Sequence, residues 1–368
     1  MPKRILIIFW GHPYFDGRCM NMIEQLSNQN YQVSVLGIGE KSETLRYKNT
    51  KINLINKSLL QNSITKYFKY FKYVKNYISK NNIDVIIASD LYSMIPCAQT
   101  KKYHKAKIIY DSRELYTKLA GLKNKPIIQK IWSWHEKKYI PDVDCVLVTA
   151  NIDKAYLKQL YQLQQIKIVK NLPNQSFLNN KSIDLKEMFQ LTKEHTVFLY
   201  QGKFHNGRGI CFSIQSISKI KGAVLILIGD GPMKTKYLKI AEAYNMKDRI
   251  FFIESVPYQS LGSFAASADI GLSIIQPISK SYEHALPNKL FEYAISGLPC
   301  ICSNLPAMQE MIETYHTGIT INYNNEDEFI NAYKNIMKHY DNYQLNSDEK
   351  EKLIWENNNQ NLCEAINE

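Results

Sequence analysis

Short apolar segments alternate with helix-like segments along the whole chain, and this alternation constrains the fold more than any other feature. The strand-like segments are residues 5–10, 31–36, 84–88, 107–110 and 145–149 in the first half, and 196–201, 223–228, 249–253, 269–274 and 300–303 in the second. Such runs are typical of strands buried on both faces of a parallel sheet, with helices as crossovers. The pattern predicts an α/β protein with two open parallel sheets, whose ligands bind at loops that follow the strands.

The length of the chain and the position of its polar segments indicate two domains. A chain of 368 residues exceeds what one ordinary core holds. The polar, weakly patterned residues 178–195 separate the two sets of strands and are predicted to be the linker. The predicted N-terminal domain is therefore 1–177 and the C-terminal domain 196–346, followed by a helix-like, polar tail at 347–368.

The charge of the chain favours anionic partners. A formal net charge of +12 and a pI near 9.1 suit nucleic acid, anionic lipid or phosphorylated small molecules. Residues 64–80 carry five lysines among aromatic and apolar residues at helical spacing. This segment is predicted to be a crossover helix packed on the sheet, and partial contact with an anionic membrane surface is compatible with that packing. No nucleic-acid-binding motif accompanies it, so nucleic acid is the less favoured partner.

The cysteine pattern and the hydropathy favour a cytoplasmic protein. The seven cysteines show no Cys-x-x-Cys or metal-ligand spacing, which is typical of reduced thiols. The apolar run at residues 5–10 is shorter than a signal-peptide core, and no later run is long enough to cross a bilayer. We therefore expect a cytoplasmic protein that can lie on the inner face of the cell membrane.

The segment 281–306, SYEHALPNKLFEYAISGLPCICSNLP, contains the strongest candidate for a ligand site. A turn ends at Pro287, a short amphipathic helix follows, and Gly297 with Pro299 ends it. Backbone N–H groups at a helix start bind phosphate, and the carboxylate of Glu292 can accept from two neighbouring sugar hydroxyls. The combination fits a nucleoside diphosphate with its ribose.

The string ALPNKLFEYAISGLPCICSNLP resembles the donor-site signature of the retaining glycosyltransferases of family 4, also called group 1. The shorter strings HPYFDGR, IIYDSREL, GKFHNGRG, IGDGP and SADIGLS support the resemblance, because they occur in the family's order. The resemblance implies the GT-B architecture, in which two Rossmann-like domains with parallel sheets face each other across a cleft. It also implies hexosyl transfer from a nucleoside-diphosphate sugar without a metal or other cofactor. The implied acceptor is a lipid-linked glycan of a bacterial surface polysaccharide, and the tail resembles the family's last helix, which returns to the first domain.

The resemblance assigns roles to individual residues of the second domain. It places Glu292 on the ribose hydroxyls, and the backbone N–H groups of Asn288, Lys289 and Leu290 on the diphosphate. In the loop after the domain's first strand, Gly202 with Lys203 and then Arg208 stand where the family has a Gly-Arg pair and a Lys-Gly pair. Two cations beside a departing diphosphate would stabilise the charge that grows as the glycosidic bond breaks.

Two positions depart from the family's pattern. His284, with Glu283 beside it, stands where relatives carry the first of two glutamates, and it is either a contact of the donor sugar or a turn residue. Arg113, two residues after Asp111, stands where relatives often carry His. An arginine cannot act as a base, so it would hold the leaving phosphate or an acidic acceptor, or else form a surface ion pair with Asp111 and Glu114. The catalytic candidates are Asp111, Arg113, Lys203 and Arg208, and the acceptor-side candidates are His12, Asp16 and Arg18.

Other patterns were weighed against this assignment. Residues 229–231 form part of a dinucleotide fingerprint, but its third glycine is missing, which disfavours an oxidoreductase. Asp142 and Asp144 are predicted to lie in a turn rather than to hold a metal. Two alternatives stay open: a sugar-nucleotide epimerase of the same architecture, and a sugar-nucleotide-binding partner subunit without catalysis.

Overall fold

The computed structural model describes residues 2–61, 65–178, 183–358 and 360–368. The chain forms two compact units, one of Met1–Asn171 with Asn358–Glu368 and the other of Leu172–Asn357. This division differs from the expected one, because the second unit begins before the predicted linker 178–195 and extends into the tail. Of that linker, residues 179–182 lie outside the described residues, and so does Ile64 of the predicted basic segment.

The first unit contains an eight-stranded sheet. Its strands are β1 (Arg4–Ile8), β2 (Gln32–Gly39), β3 (Glu43–Tyr47), β4 (Thr50–Asn56), β5 (Val85–Ala88), β6 (Lys107–Ser112), β7 (Cys145–Val148) and β8 (Ile166–Ile168), in the order β3-β4-β2-β1-β5-β6-β7-β8. All neighbours pair in parallel except β3, which is antiparallel to β4. Its helices are α1 (Gly17–Asn28), α2 (Lys66–Lys80), α3 (Leu91–Thr100), α4 (Pro126–Tyr139) and α5 (Asn151–Tyr161).

Helix α2 is the crossover helix expected at this place. It buries Tyr70, Phe71, Val74 and Ile78 in the same apolar cluster as strand residues such as Leu6 and Ile86 and the α3 residues Met94 and Ile95. Its lysines lie on the remaining surface, where Lys69 and Lys72 are exposed. The apolar stripe thus packs on the sheet, as its helical spacing requires.

The second unit contains a six-stranded, all-parallel sheet. Its strands are β9 (Thr196–Gln201), β10 (Ala223–Ile228), β11 (Ile250–Ile253), β12 (Ile270–Ser273), β13 (Cys300–Ser303) and β14 (Gly318–Ile321), in the order β11-β10-β9-β12-β13-β14. Its helices are α6 (Leu185–Met188), α7 (Ile210–Ser218), α8 (Lys234–Ala243), α9 (Leu261–Ala266), α10 (Lys280–Glu283), α11 (Asn288–Ile295), α12 (Pro306–Tyr315), α13 (Glu326–Lys338) and α14 (Ser347–Glu351).

The end of the chain returns to the first unit. Helix α15 (Gln360–Asn367) buries Leu362, Ala365 and Ile366 there. Lys167 at the end of the sheet pairs with Glu364 at 2.9 Å and with Glu368 at 2.7 Å. These contacts hold α15 against β8.

All ten predicted strands are present, and the sequence analysis missed four others. The missed strands are β3, β4, β8 and β14. Strand β3 has no buried residue, β8 has three residues, and β14 buries only its first and last residues, so none of the three forms a continuous apolar run. Within the described residues, no helix combines the length and the hydropathy needed to cross a membrane.

Each sheet reverses its strand order beside its first strand. In the first unit β1 lies between β2 and β5, and in the second unit β9 lies between β10 and β12. At such a reversal the loops after the two neighbouring strands diverge and leave a crevice at the carboxyl ends of the strands. The loops after β1 and after β9 therefore mark the candidate site of each unit.

Candidate functional site

Two loops of the second unit touch backbone to backbone beside the strand reversal. Gly229 follows β10 with a φ of 137°, and a Cβ atom there would lie 2.1 Å from the carbonyl oxygen of Gly202. Only glycine fits such an approach. The partial dinucleotide fingerprint at 229–231 thus serves to pack these loops, and Gly202 opens the loop that carries the predicted cations.

Two cations lie on aromatic rings in this crevice. The Nζ of Lys289, in the first turn of α11, lies 3.5 Å from the ring centroid of Tyr200. The guanidinium of Arg208 lies 4.9 Å from the ring centroid of Tyr282. Within the described part of the chain, neither cation forms an ion pair with a carboxylate. The pair is therefore electrostatically suited to a ligand with more than one negative charge.

The environment of Lys289 disfavours its charge. Burial lowers the pKa of Lys289 well below its ordinary value, and the neighbouring positive charge of Arg208 lowers it further. The Glu292 carboxylate offsets part of this effect. An anion bound beside Lys289 would favour the charged form and raise this pKa again.

Glu292 is buried on the inner face of α11. Its carboxylate accepts a hydrogen bond from the amide of Gln201, the last residue of β9, and another from the hydroxyl of Tyr258. Burial raises the pKa of Glu292, while the Gln201 and Tyr258 hydrogen bonds and the charge of Lys289 oppose that shift. The carboxylate is thus held in one orientation near Lys289.

The start of α11 has no side-chain cap, because its N-cap residue is Pro287. Asn288 is exposed at the first position, but the N–H of Leu290 donates to the carbonyl of Pro287 at 3.1 Å. The expected set of three backbone donors is therefore reduced, since Leu290 already uses its own. The side chain of Lys289 adds a donor at the start of α11 that was predicted only as a backbone donor.

The other predicted donor residues occupy different environments. Glu283 pairs with Lys280 at 3.1 Å on the surface of α10. His284 is buried at the end of α10, where its N–H donates to the carbonyl of Lys280 at 3.2 Å. The side chain of Lys203 is exposed, while its carbonyl accepts from the hydroxyl of Tyr200 at 2.9 Å.

Four predicted residues of the first unit form one buried network of charges. Arg18 is fully buried and makes paired hydrogen bonds to Asp111 at 2.7 and 3.0 Å. Arg113 bonds to Asp111 at 3.0 Å and to Asp16 at 2.7 Å, and it stacks 4.8 Å from the ring centroid of Phe9. Burial opposes ionisation of Asp111, but Arg18 and Arg113 hold its pKa below the ordinary value.

This network changes the interpretation of Arg113. The ion pair of Arg113 with Asp111 is present, but it is not a surface pair, because Asp111 is buried and Arg113 also pairs with Asp16. One guanidinium nitrogen of Arg113, Nη2, is buried without a hydrogen-bond partner among the described residues. Arg18 donates to Asp111 and, at 2.8 Å, to the carbonyl of Val169. Arg18 therefore fixes the orientation of the Asp111 carboxylate. His12 lies beside the network's loop, with its ring 4.8 Å from that of Phe15.

The sequence analysis missed several residues around these sites. In the second unit these are Tyr200, Gln201, Tyr258 and Tyr282; in the first unit they are Asp90, which follows β5, and the aromatic cluster of Trp10, Tyr67, Tyr92 and Trp132. A polar residue that directly follows a buried strand, as Asp90 does, is the signal that could have been used. The aromatic residues carry no such signal.

Metal-ligand residues do not converge in the described part of the chain, where no group of three or more His, Cys, Asp or Glu residues could hold an ion. Asp144, from the Asp-x-Asp string, accepts from the N–H of Ile108 at 2.7 Å and pairs with Lys101. These contacts tie Asp144, which directly precedes β7, to the neighbouring strand β6 and to the end of α3.

Two family models match the chain. The model described as "Glycosyltransferase Family 4" matches residues 18–172, and the model described as "Glycosyl transferases group 1" matches residues 195–339. Together they span most of the chain. Among curated proteins, N-acetyl-α-D-glucosaminyl L-malate synthase from Bacillus anthracis is 23% identical over 152 residues, which cover 39% of this chain and 38% of that relative.

Solved structures share the fold of the whole chain. HepE from Anabaena, solved in complex with UDP and glucose, matches with a TM-score of 0.75 at 12% identity over 99% of both chains. WaaG, a glycosyltransferase involved in lipopolysaccharide biosynthesis, matches with a TM-score of 0.68 at 13% identity over 98% of both chains. At sequence identities this low, the structural matches establish a common fold and nothing more specific.

Proposed function

Because the chain belongs to the family 4, group 1 glycosyltransferases and has the GT-B fold, we propose that it is a retaining, metal-independent hexosyltransferase that uses a nucleoside-diphosphate sugar. The observation that supports this proposal most strongly is that Arg208 and Lys289 lie on aromatic rings and form no ion pair within the described residues, while the buried carboxylate of Glu292 acts on the charge of Lys289. Two cations and a helix start suit a diphosphate, and an oriented carboxylate suits the ribose hydroxyls. HepE, of the same fold, was solved with UDP.

In the proposed reaction, the bond between the anomeric carbon and the diphosphate breaks as the acceptor oxygen bonds to the same face of that carbon. The acceptor proton passes to the departing diphosphate oxygen, so the protein needs no separate base there. Arg208 and Lys289 stabilise the negative charge that grows on the diphosphate. Lys203, which is exposed, lies on the loop that carries Arg208. This is the charge stabilisation that a divalent metal supplies in other transferases.

The first unit is proposed to bind the acceptor. Arg113 has one guanidinium nitrogen, Nη2, that finds no partner in the described part of the chain, and the charges of Asp111 and Asp16 hold the group in place. We propose that this nitrogen binds an anionic group of the acceptor, with His12 nearby. A lipid-linked glycan phosphate of surface polysaccharide synthesis is the favoured class, because α2 is basic and WaaG acts in lipopolysaccharide biosynthesis. A small carboxylic acid is the second class, since the curated relative is named for malate.

The reaction is tested by incubating the purified protein with a panel of nucleoside-diphosphate sugars, with and without a polyprenyl-phosphate-linked sugar or malate. Release of nucleoside diphosphate that requires an acceptor is expected. Release or isomerisation without acceptor would indicate the epimerase, and binding without turnover would indicate the non-catalytic partner subunit. Activity in excess chelator tests metal independence, and the anomeric configuration of the product tests retention.

The donor site is tested by Glu292→Ala. We expect its affinity for the matching nucleoside diphosphate to fall by about tenfold to about a hundredfold, because a hydrogen bond to a charged group contributes about 1.5–3 kcal/mol. The matched control is Glu313→Ala, which removes an exposed carboxylate of α12 in the same unit. Isothermal titration calorimetry measures the nucleoside diphosphate affinity of both variants. A folded Glu292→Ala protein that binds as tightly as the unchanged protein would refute the assignment.

The basic surface of α2 is proposed to lie against an anionic membrane. Replacing Lys69, Lys72 and Lys75 with Glu is expected to reduce binding to anionic vesicles, since cations near such a surface attract its lipids. Unchanged binding would leave α2 with the packing role alone.

A further inference from the structure

Helix α4 presents an apolar line to the outside of the first unit. Ile127, Ile131 and Trp134 recur at i, i+4 and i+7, and their exposed fractions are 73%, 50% and 56%. The opposite face of the helix is packed inward through Trp132 and Glu136. A surface helix normally carries polar residues along its outer line, so three large apolar side chains there indicate a partner.

Lysines border this apolar line. Lys130 and Lys137 are exposed on one side of it, and the Nζ of Lys138 lies 4.7 Å from the ring centroid of Trp134. Glu136 is the only acidic residue between 115 and 139. It is buried, and it accepts hydrogen bonds from Tyr110 and Thr117 at 3.2 Å and from Tyr161 at 2.6 Å. The exposed face of α4 therefore carries apolar side chains, and all of its charged side chains are lysines.

Helix α2 extends the same surface. The side chains that α2, α3 and α4 bury belong to one apolar cluster on one face of the sheet, and Tyr67 of α2 meets Trp132 of α4 with ring centroids 4.7 Å apart. Beside them α2 exposes Phe68, and residues 65–80 contain no acidic residue. Helices α2 and α4 thus pack on the same face of the sheet, and each exposes apolar and basic side chains.

We propose that the outer face of α4 is a membrane-insertion element, in which Ile127, Ile131 and Trp134 enter the boundary between headgroups and acyl chains of an anionic bilayer. The bordering lysines bind the lipid phosphates. An anionic bilayer matches this face in both respects, since Trp and Lys beside aliphatic side chains are typical of helices that lie in the interface. The inference deepens the proposed function and rests on it, because it explains how the enzyme reaches a lipid-linked acceptor.

The test compares the full chain with Ile127→Ser, Ile131→Ser, Trp134→Ser, the triple α4 variant. Partitioning is measured by sedimentation with vesicles of phosphatidylglycerol and phosphatidylcholine in equal parts, and with phosphatidylcholine alone. We expect the triple variant to bind the anionic vesicles at least about tenfold more weakly. The matched control, Leu238→Ser with Met337→Ser, removes exposed apolar side chains of the second unit and is expected to bind as the unchanged protein does.

Fluorescence provides a second measurement. Brominated lipids are expected to quench the unchanged protein, and Trp134→Phe is expected to remove most of that quenching while sedimentation stays nearly the same. Equal binding of the triple variant and the unchanged protein would overturn the proposal. So would a lipid-free dimer, seen by analytical ultracentrifugation, that the triple variant abolishes, because a second copy of the chain would then cover this face. Vesicle binding needs neither donor nor acceptor, so its failure is distinguishable from a failure of sugar transfer.

Discussion

At the scale of single residues, Lys289 carries the sharpest chemical expectation. It is held on the ring of Tyr200 near a second cation, and burial keeps its pKa well below the ordinary value. A bound diphosphate would favour the ammonium form and raise the pKa. Binding should therefore take up a proton at a pH between the pKa of Lys289 in the free protein and its pKa in the complex, and diphosphate affinity should fall as the pH rises through that range.

Lys289→Met is expected to weaken binding of the nucleoside diphosphate by about tenfold to about a hundredfold, because it removes one charged hydrogen-bond donor. Binding of the nucleoside without phosphates should change little. Calorimetry in buffers of different ionisation enthalpy should show proton uptake in the unchanged protein and none in the variant. Lys280→Met, which removes an exposed lysine already paired with Glu283, is the control. Undiminished proton uptake in Lys289→Met would show that another group titrates.

At the scale of secondary-structure elements, Asp90 joins the start of α3 to the loop after β1. Its carboxylate accepts from the N–H groups of Ser93 and Trp10, each at 2.7 Å. Burial raises its pKa from 3.8 to about 6, although these hydrogen bonds oppose the shift. A carboxyl group whose pKa is higher in the folded state than in the unfolded chain stabilises the fold, and this contribution is complete at a pH below the pKa of the unfolded chain. That contribution is lost as the pH rises through the folded pKa.

The corresponding prediction concerns Asp90→Asn, which cannot titrate. Between about pH 4 and pH 7, the free energy of unfolding of the unchanged protein should fall relative to that of the variant. The relative fall should be about 3 kcal/mol, because a shift of about two pKa units corresponds to that energy. Urea denaturation across this pH range measures the difference. The variant also loses one acceptor oxygen, which changes its free energy of unfolding by the same amount at every pH. A pH-independent difference between the proteins would contradict the raised pKa.

At the scale of the whole molecule, two chain segments lead from one unit to the other. The chain enters the second unit at Leu172 and leaves it at Asn357. Inside the second unit these segments lie side by side, since the N–H of Trp355 donates to the carbonyl of Pro173 at 2.8 Å. Residues beyond them form α15, so the stability of the first unit depends on residues that follow the second one in the sequence.

Replacing Leu362 and Ile366 together with Ala should destabilise the first unit by about 4 kcal/mol or more, because each change leaves a cavity in its core. The unfolding of the second unit should keep its midpoint. Differential scanning calorimetry with limited proteolysis measures the two units separately. The control is Met337→Ala, which shortens an exposed side chain of α13. Equal destabilisation of both units would mean that they unfold as one.

Much of the fold and part of the site were accessible from the sequence. Strands buried on both faces leave continuous apolar runs, so β1, β9, β10, β12 and β13 could be predicted, whereas the edge strands β3 and β14 could not. Family membership, predicted from the signature at 285–306 and from the order of the five shorter strings before it, is confirmed by the family models. The residue roles carried over from the family, including that of Glu292, stay predictions that the binding experiments test.

The sequence by itself determined the two largely parallel sheets, the family and the position of the helix that is the donor-site candidate, because these follow from local periodicity and contiguous strings. Only the tertiary structure decided which charges are neutralised. It paired Arg113 with Asp16, which lies far from it in the chain, and left Arg208 and Lys289 without a carboxylate partner among the described residues. It also turned Ile127, Ile131 and Trp134 outward. Pairing and exposure depend on which strand ends and helix faces meet in space, and no local pattern in a chain records that.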